Sequence, residues 1–249
     1  MYGWKGRIAL ILPSRNTTTE PEFQRLAPEG VSIHATRVEL NEASPSALGA
    51  MEDGIYQAAS LMMSVGPDLI AVACTSGTLI KGVGYDQKLS DRITELTKVP
   101  AITTAGAVLE AFSLLKITKV AMATPYIDEV NAKEKEFLEG NGIRVTRMKG
   151  LKYSKSGAPY PLISRPVSMI GLLYPEVAYK MAFDVDTPDA EGIFISCTNF
   201  RTIEIIAALE KNAGKPVVTS NQATWAIALR RLGIKERICG FGKLLELPE

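Results

Sequence analysis

Short runs of β-branched and other apolar residues alternate with longer segments of mixed polarity along the whole chain. This alternation is typical of parallel strands joined by crossover helices, so we predict an α/β fold. One helix is predicted over Pro45–Val65, because apolar residues recur there at helical spacing and Ser44 suits the N-cap. The predicted strands are Arg7–Leu12, Val31–Val38, Leu69–Cys74, Ala101–Thr103, Lys119–Ala123, Arg144–Met148, Gly192–Cys197, Val217–Thr219 and Arg237–Gly240.

The two halves of the chain repeat the same order of predicted elements. A strand ends in Cys-Thr-Ser at Cys74 in the first half and in Cys-Thr-Asn at Cys197 in the second. In both halves a helix, a short strand, a second helix and a further strand come next. We therefore expect two pseudosymmetric lobes, each a mostly parallel sheet flanked by helices, with one thiol from each lobe at a site between them.

The lobe boundaries follow from the expectation that the last long helix returns to the first lobe. Residues 1–114 plus 225–249 are predicted to form the lobe with Cys74, and residues 115–224 the lobe with Cys197. The segment Lys152–Pro166 is rich in Ser, Gly and Pro and is predicted to be irregular. The sequence leaves open whether it is a lid over the site or a surface insertion.

Charge and hydropathy exclude several classes of partner. The formal net charge is +1, with acids and bases spread along the chain, so no basic stripe is available for nucleic acid. The apolar runs are strand-sized, far below the roughly 20 residues that span a bilayer, and we expect no membrane segment. The first residues lack the pattern of a secretory signal, and we predict a cytoplasmic protein.

The histidine and cysteine content restricts the chemistry further. The only histidine, His34, alternates with apolar residues and is predicted to be an ordinary strand residue. Cys74, Cys197 and Cys239 lie far apart without paired spacing, which argues against a disulfide framework and a zinc site, so no metal is predicted. Cys239 has no counterpart in the repeat and is predicted to lie in the core.

Cys74 and Cys197 are predicted to end buried parallel strands, where open α/β sheets bind their ligands. A helix is expected to begin after each cysteine, and its free backbone N–H groups would attract a carboxylate and lower the thiol pKa. The alternative is that both are small core residues, since free cysteine is among the most buried residue types. Their equivalent places in the repeat favour a functional pair.

Four motifs, in this order, resemble one known family: Pro13–Thr18, Ala73–Thr78, Ala121–Asn131 and Ser196–Thr202. They are similar to the maleate cis-trans isomerase and arylmalonate decarboxylase branch of the aspartate/glutamate racemase superfamily. The resemblance spans nearly the whole chain. It implies a two-lobe enzyme that needs no cofactor, binds a small carboxylate or dicarboxylate between two cysteines, and is often a homodimer.

The resemblance also implies roles for individual residues. In an isomerase, the Cys74 thiolate would add to the alkene of a cis-dicarboxylate, and Cys197 would donate and recover the proton. In a racemase, the same pair would exchange an α-proton between opposite faces of the substrate. The residues implied to hold the substrate carboxylates are Asn16, Thr75, Ser76, Tyr126, Thr198 and Asn199.

Two departures bear on the choice of reaction. The decarboxylase relatives have glycine at the first cysteine position, so Cys74 favours an isomerase or racemase here. Maleate isomerases carry an asparagine ahead of a segment similar to Ile170–Val177, where this chain has Val167-Ser168-Met169. The alternatives to an isomerase are an arylmalonate-type decarboxylase with Cys197 as proton donor and a non-catalytic carboxylate-binding protein.

Overall fold

The computed structural model describes residues 1–152, 168 and 170–248. The predicted lid or insertion at 152–166 therefore lies outside the described residues from position 153 onward. Within the described ranges, eight strands form two four-stranded sheets in which every strand pairing is parallel, and helices flank them. The predicted α/β fold is confirmed.

The two sheets have the same topology. The first, in the spatial order β2-β1-β3-β4, contains β1 (Gly6–Pro13), β2 (Val31–Val38), β3 (Leu69–Val72) and β4 (Ala101–Thr103). The second, in the order β6-β5-β7-β8, contains β5 (Lys119–Thr124), β6 (Arg144–Gly150), β7 (Gly192–Ile195) and β8 (Val217–Thr219). Each central strand is apolar on both faces, as parallel strands covered by helices require. Eight of the nine predicted strands are thus present.

The helices of the described residues are α1 (Thr19–Leu26), α2 (Pro45–Gly49), α3 (Glu52–Met62), α4 (Thr75–Leu79), α5 (Tyr85–Thr97), α6 (Thr104–Leu115), α7 (Asp128–Gly140), α8 (Pro175–Val185), α9 (Ile206–Ala213), α10 (Ser220–Arg231) and α11 (Lys243–Glu246). Short 3-10 turns cover Met63–Val65 and Ile170–Leu172. The helix predicted over Pro45–Val65 is therefore divided between α2, α3 and one of these turns. Ser44 caps α2 as predicted, because its hydroxyl accepts a hydrogen bond from the Ala47 N–H at 3.4 Å.

The strand order places four loops around one crevice. In the first sheet, β1 leads outward to β2 and β3 leads outward to β4, so the loops after β1 and β3 diverge from a switch point between neighbouring strands. The loops after β5 and β7 diverge in the same way in the second sheet. The four motifs, Pro13–Thr18, Ala73–Thr78, Ala121–Asn131 and Ser196–Thr202, all include residues at these carboxyl ends.

Helix α10 packs against elements of the first sheet's half of the molecule. Its Thr224 hydroxyl lies 2.9 Å from that of Thr104 on α6, and the rings of Trp225 and Phe23 on α1 are 4.8 Å apart. Such contacts agree with a last long helix that returns to the first lobe, although α10 begins at Ser220, ahead of the predicted boundary. The exact limits of the lobes stay a prediction.

The C-terminal region differs from the sequence-based expectation. Residues 237–240 form no strand; the Ile238 N–H donates instead to Leu245 O, and Gly240 adopts a left-handed φ of 86°. The prediction of a core position for Cys239 is also wrong, because this residue is exposed. Both errors arise because residues 237–240 lead into a turn and bond to α11 and not to a sheet strand, which leaves Cys239 in the turn. In the described part of the chain, no helix has the length and apolarity that crossing a membrane requires.

Candidate active site

A cavity of about 70 Å³ opens between the carboxyl ends of the two sheets. Since one water needs roughly 10–15 Å³ measured in this way, the space suits a small organic acid. Cys74 and Cys197 both line it, although each side chain is largely buried. The other predicted site residues that line the cavity are Asn16, Ser76, Tyr126, Thr198 and Asn199.

Cys74 follows β3 and is the N-cap of α4. Its sulfur accepts a hydrogen bond from the Gly77 N–H at 3.3 Å, as the hydroxyl of a serine cap would. Burial raises the pKa of the Cys74 thiol to about 11, against the opposing effect of hydrogen bonds from Gly77 and Ser76. The prediction of a lowered pKa is wrong for this structure, because one turn of helix does not offset the loss of hydration.

Cys197 follows β7 in a strained backbone conformation. Its φ of 105° lies in the left-handed region, which costs a residue other than glycine about 1–3 kcal/mol. The Cys197 N–H donates to Ser220 Oγ at 3.0 Å, and the sulfur accepts from the Asn199 N–H at 3.4 Å. These bonds fix the thiol in a conformation that an isolated chain would rarely adopt.

Burial also raises the pKa of the Cys197 thiol, to about 12. Hydrogen bonds from Tyr126 and the Asn199 N–H oppose this effect, while the charges of Cys74 and Glu134 add to it. No helix begins directly after Cys197, since α9 starts at Ile206, so the predicted helix N-terminus is absent at this cysteine. The two thiols are therefore equivalent in topology but differ in environment.

The side chains of Asn16 and Asn199 join the two lobes. Asn16 Nδ2 donates to Thr198 Oγ1 at 3.1 Å, and its Oδ1 accepts the N–H groups of Thr18 and Thr19. Asn199 Oδ1 accepts the Thr17 N–H at 2.9 Å. Both amides line the cavity, yet their hydrogen-bonding groups are largely engaged with the protein.

Thr75 is the one predicted site residue that does not line the cavity. It is buried, and its hydroxyl donates to Ser220 Oγ at 2.7 Å, the same oxygen that accepts the Cys197 N–H. Ser220 therefore connects the two cysteine loops. Sequence reasoning missed it, although Thr219-Ser220 is the counterpart of Thr103-Thr104 in the internal repeat.

A second missed residue is Glu22, which is buried on α1. One carboxylate oxygen accepts the N–H groups of Thr202 at 2.8 Å and Ile203 at 3.3 Å, and the other accepts from Asn221 Nδ2 at 2.6 Å. Burial raises the Glu22 pKa to about 7 even though these hydrogen bonds lower it. This carboxyl group attaches α1 to the segment that follows Cys197. Its place in an otherwise ordinary amphipathic helix gave no signal in the sequence.

Fold and site together define a class of protein: two similar α/β lobes that place one thiol each in a shared cleft. A family model described as arylmalonate decarboxylase matches residues 8–245, and the chain belongs to this family. The resemblance recognised from the four motifs is thereby confirmed.

Two curated relatives match over almost the whole chain. A maleate isomerase of Pseudomonas putida is 26% identical over 96% of both chains, and an arylmalonate decarboxylase of Bordetella bronchiseptica is 27% identical, again over 96% of both. Among solved structures, a maleate isomerase from Pseudomonas putida S16 crystallised with maleate has a TM-score of 0.89, at 24% identity over 97% of each chain. A mutant of the Nocardia farcinica maleate cis-trans isomerase with a covalently bound succinylcysteine intermediate has a TM-score of 0.88, at 23% identity over 97% of this chain and 98% of that one. The two structural matches support the same two-lobe fold.

Proposed function

We propose that this protein is a cofactor-independent isomerase that acts on a small unsaturated carboxylate, with Cys74 as nucleophile and Cys197 as acid and base. The observation that carries the proposal is the pair of thiols from equivalent positions in the two lobes, which line one cavity. The similarity to curated maleate isomerases supports the same reaction class. Maleate, or an acid of similar size, is the first substrate to test.

The reaction proceeds through a covalent adduct. The Cys74 thiolate adds to one alkene carbon, and the neighbouring carbon takes the proton of the Cys197 thiol, which leaves a thioether and a Cys197 thiolate. The former double bond is now single and rotates. Cys197 then removes the proton, the C–S bond breaks, and both thiols return to their starting forms with the alkene in the trans geometry.

The difference between the two thiols supports this division of roles. Cys74 is the N-cap of α4, where the Gly77 N–H favours a thiolate, whereas no helix begins at Cys197 and the charge of Glu134 adds to the rise in the pKa of its thiol. Ser76 and Tyr126 line the cavity and offer hydroxyl donors to a substrate carboxylate. We propose that Asn16, Thr75, Thr198 and Asn199 shape that carboxylate site chiefly by fixing the loops around it.

Several further expectations stay predictions of this proposal. They are the lobe boundaries near residues 114 and 225, a cytoplasmic location, and a homodimer. The independence from metals and organic cofactors belongs to the same set.

The decisive experiment compares the two cysteine variants. Cys197→Ser is expected to stop turnover and to accumulate the Cys74 thioether during incubation with maleate, with water supplying the proton in place of Cys197 and no thiolate present to remove it again. Intact-protein and peptide mass spectrometry would detect this adduct. Cys74→Ser is expected to lose both turnover and adduct. Cys239→Ser is the matched control, since this thiol is exposed and lies outside the cavity. Full turnover in both Cys74→Ser and Cys197→Ser, with any active substrate, would contradict the proposal.

A decarboxylase is the second candidate, because the family model and one curated relative carry that description. In this case Cys197 alone would protonate the carbanion left by loss of carbon dioxide. Release of carbon dioxide from a disubstituted malonate, retained in Cys74→Gly, would favour this reaction over isomerisation. A non-catalytic binding protein would show ligand-induced thermal stabilisation but no exchange of substrate protons in deuterated water.

A further inference from the structure

Helix α7 buries two polar side chains next to the cavity wall. Its alternating charges suggest a helix face in solvent, yet Asn131 and Glu134, three residues apart, are 2% and 0% exposed. Asn131 accepts a hydrogen bond from the Thr124 hydroxyl and donates to Tyr126 O at 3.2 Å. The first of these side chains therefore fixes the loop that carries Tyr126.

Glu134 forms a hydrogen bond with the loop that carries Cys197, as Asn131 does with the loop that carries Tyr126. Its Oε1 accepts a hydrogen bond from Ser196 Oγ at 2.6 Å, and Ser196 directly precedes Cys197. The distance is typical of a hydroxyl that donates to a charged carboxylate. Within the described residues, Glu134 Oε2 has no hydrogen-bond partner although it is buried. A carboxyl group in such a place costs stability, and nothing in the proposed reaction uses it directly.

We propose that Glu134 is a positioning residue that keeps the Cys197 thiol protonated, by placing a buried carboxylate beside the strand end that carries this cysteine. The Glu134 carboxylate would then repel a negative charge on the Cys197 sulfur, and burial, which excludes water, would strengthen this repulsion. The inference rests on the proposed function, because that function assigns Cys197 the role of proton donor.

The ionisable groups that interact with Glu134 agree with this assignment. The charge of Glu134 adds to the pKa of Cys197 and to that of Tyr126, both of which burial raises most and to both of which the charge of Cys74 also contributes. Burial raises the pKa of Cys74, and only the hydrogen bonds from Gly77 and Ser76 oppose this rise. Burial raises the pKa of Glu134 itself to about 7, so the group is charged over the alkaline range in which thiols titrate. The carboxylate thereby distinguishes two thiols that the repeat makes equivalent.

The test is the pH dependence of thiol alkylation in the substrate-free protein. Wild type and Glu134→Gln are treated with iodoacetamide between pH 8 and 11, and modification at Cys197 and Cys74 is followed separately by peptide mass spectrometry. In Glu134→Gln the Cys197 profile is expected to move to lower pH, with alkylation at pH 9 about twofold faster, the change that roughly a third of a pKa unit produces. The Cys74 profile is expected to move much less.

Ser196→Ala is the matched control, because it removes the Ser196–Glu134 hydrogen bond and keeps the charge, whereas Glu134→Gln keeps the accepting oxygen and removes the charge. A purely structural role for Glu134 would act through this hydrogen bond. A shift of the Cys197 profile in Ser196→Ala that equals or exceeds the shift in Glu134→Gln, or an unchanged Cys197 profile in Glu134→Gln, would therefore overturn the inference. If Glu134→Gln does not fold, Glu134→Met removes the charge at similar length and replaces it in the comparison. Because alkylation needs no substrate, the outcome is independent of whether the proposed isomerase activity is found.

Discussion

The raised pKa of the buried Glu134 carboxyl group predicts how the free energy of unfolding depends on pH. Its side chain is fully buried, and burial raises its pKa from the ordinary value of 4.5 to about 7. The unfolded chain therefore releases this proton near pH 4.5, whereas the folded protein holds it until about pH 7. Since folding binds a proton between these values, the group's contribution to stability falls as the pH rises through this window.

The size of the effect follows from the difference between the two pKa values. At about 1.4 kcal/mol per pKa unit, a rise from 4.5 to about 7 is worth on the order of 3 kcal/mol, most of which is lost between pH 5 and pH 8.5. Glu134→Gln keeps the oxygen that accepts from Ser196 and removes the ionisation. The amide nitrogen of the glutamine would take the place of Oε2, which has no hydrogen-bond partner in the described structure. An unpaired buried amide costs about 1–3 kcal/mol of stability, and this cost does not change with pH.

The assay is urea unfolding of both proteins at pH 5 and pH 8.5, followed by circular dichroism. The free energy of unfolding of Glu134→Gln relative to wild type is expected to increase by about 2–3 kcal/mol from the lower to the higher pH. Glu22, which titrates in the same range, is present in both proteins and cancels from the comparison. Glu136→Gln, on the exposed face of the same helix, is the matched control and should show no such change. A stability difference between Glu134→Gln and wild type that is the same at both pH values would refute the reasoning.

The other predictions concern the reactive thiols. If the Cys74 thiolate is the attacking form, kcat/KM should rise about tenfold per pH unit from pH 7 to 9, because the pKa of the thiol is about 11. A flat profile would contradict attack by a thiolate that forms with this pKa. Gly77→Ala places a Cβ 2.8 Å from the Cys74 sulfur, so we expect a loss of about 1–3 kcal/mol in thermal unfolding and a displaced thiol; unchanged stability and turnover would contradict this contact. Ser220→Ala removes the acceptor of the Cys197 N–H, which should cost about 1–3 kcal/mol and lower kcat more than it changes KM; equal kcat would show that the strained loop does not depend on this bond.

Much of the fold was predictable because its signals are local. Buried parallel strands read as short apolar runs, and eight of these runs are strands in the structure. The ninth, at 237–240, failed because these residues pair with no strand of either sheet; the Ile238 N–H donates to Leu245 O on α11 instead. The break in the helix predicted over Pro45–Val65 was also missed. The helical spacing of apolar residues continues from α2 into α3, although the backbone between them is not helical.

The cavity lining was predictable to a similar degree. Equivalent positions in an internal repeat, at the carboxyl ends of central strands, bring Cys74 and Cys197 to one cavity without any knowledge of side-chain packing. Ser220 was not predicted as a site residue, because its importance comes from contacts with two loops that are distant in the chain.

The α/β class, the duplicated order of the strands and the pair of thiols could all be inferred from the order of residues, because periodicity and repetition are visible along the chain. Other properties emerge only in the folded protein. They are the raised pKa values of these thiols, the strained backbone of Cys197, the burial of Glu22 and Glu134, and the exposure of Cys239. These properties depend on hydration and on charges contributed by elements that are remote along the chain. Such elements come together only when both lobes are folded.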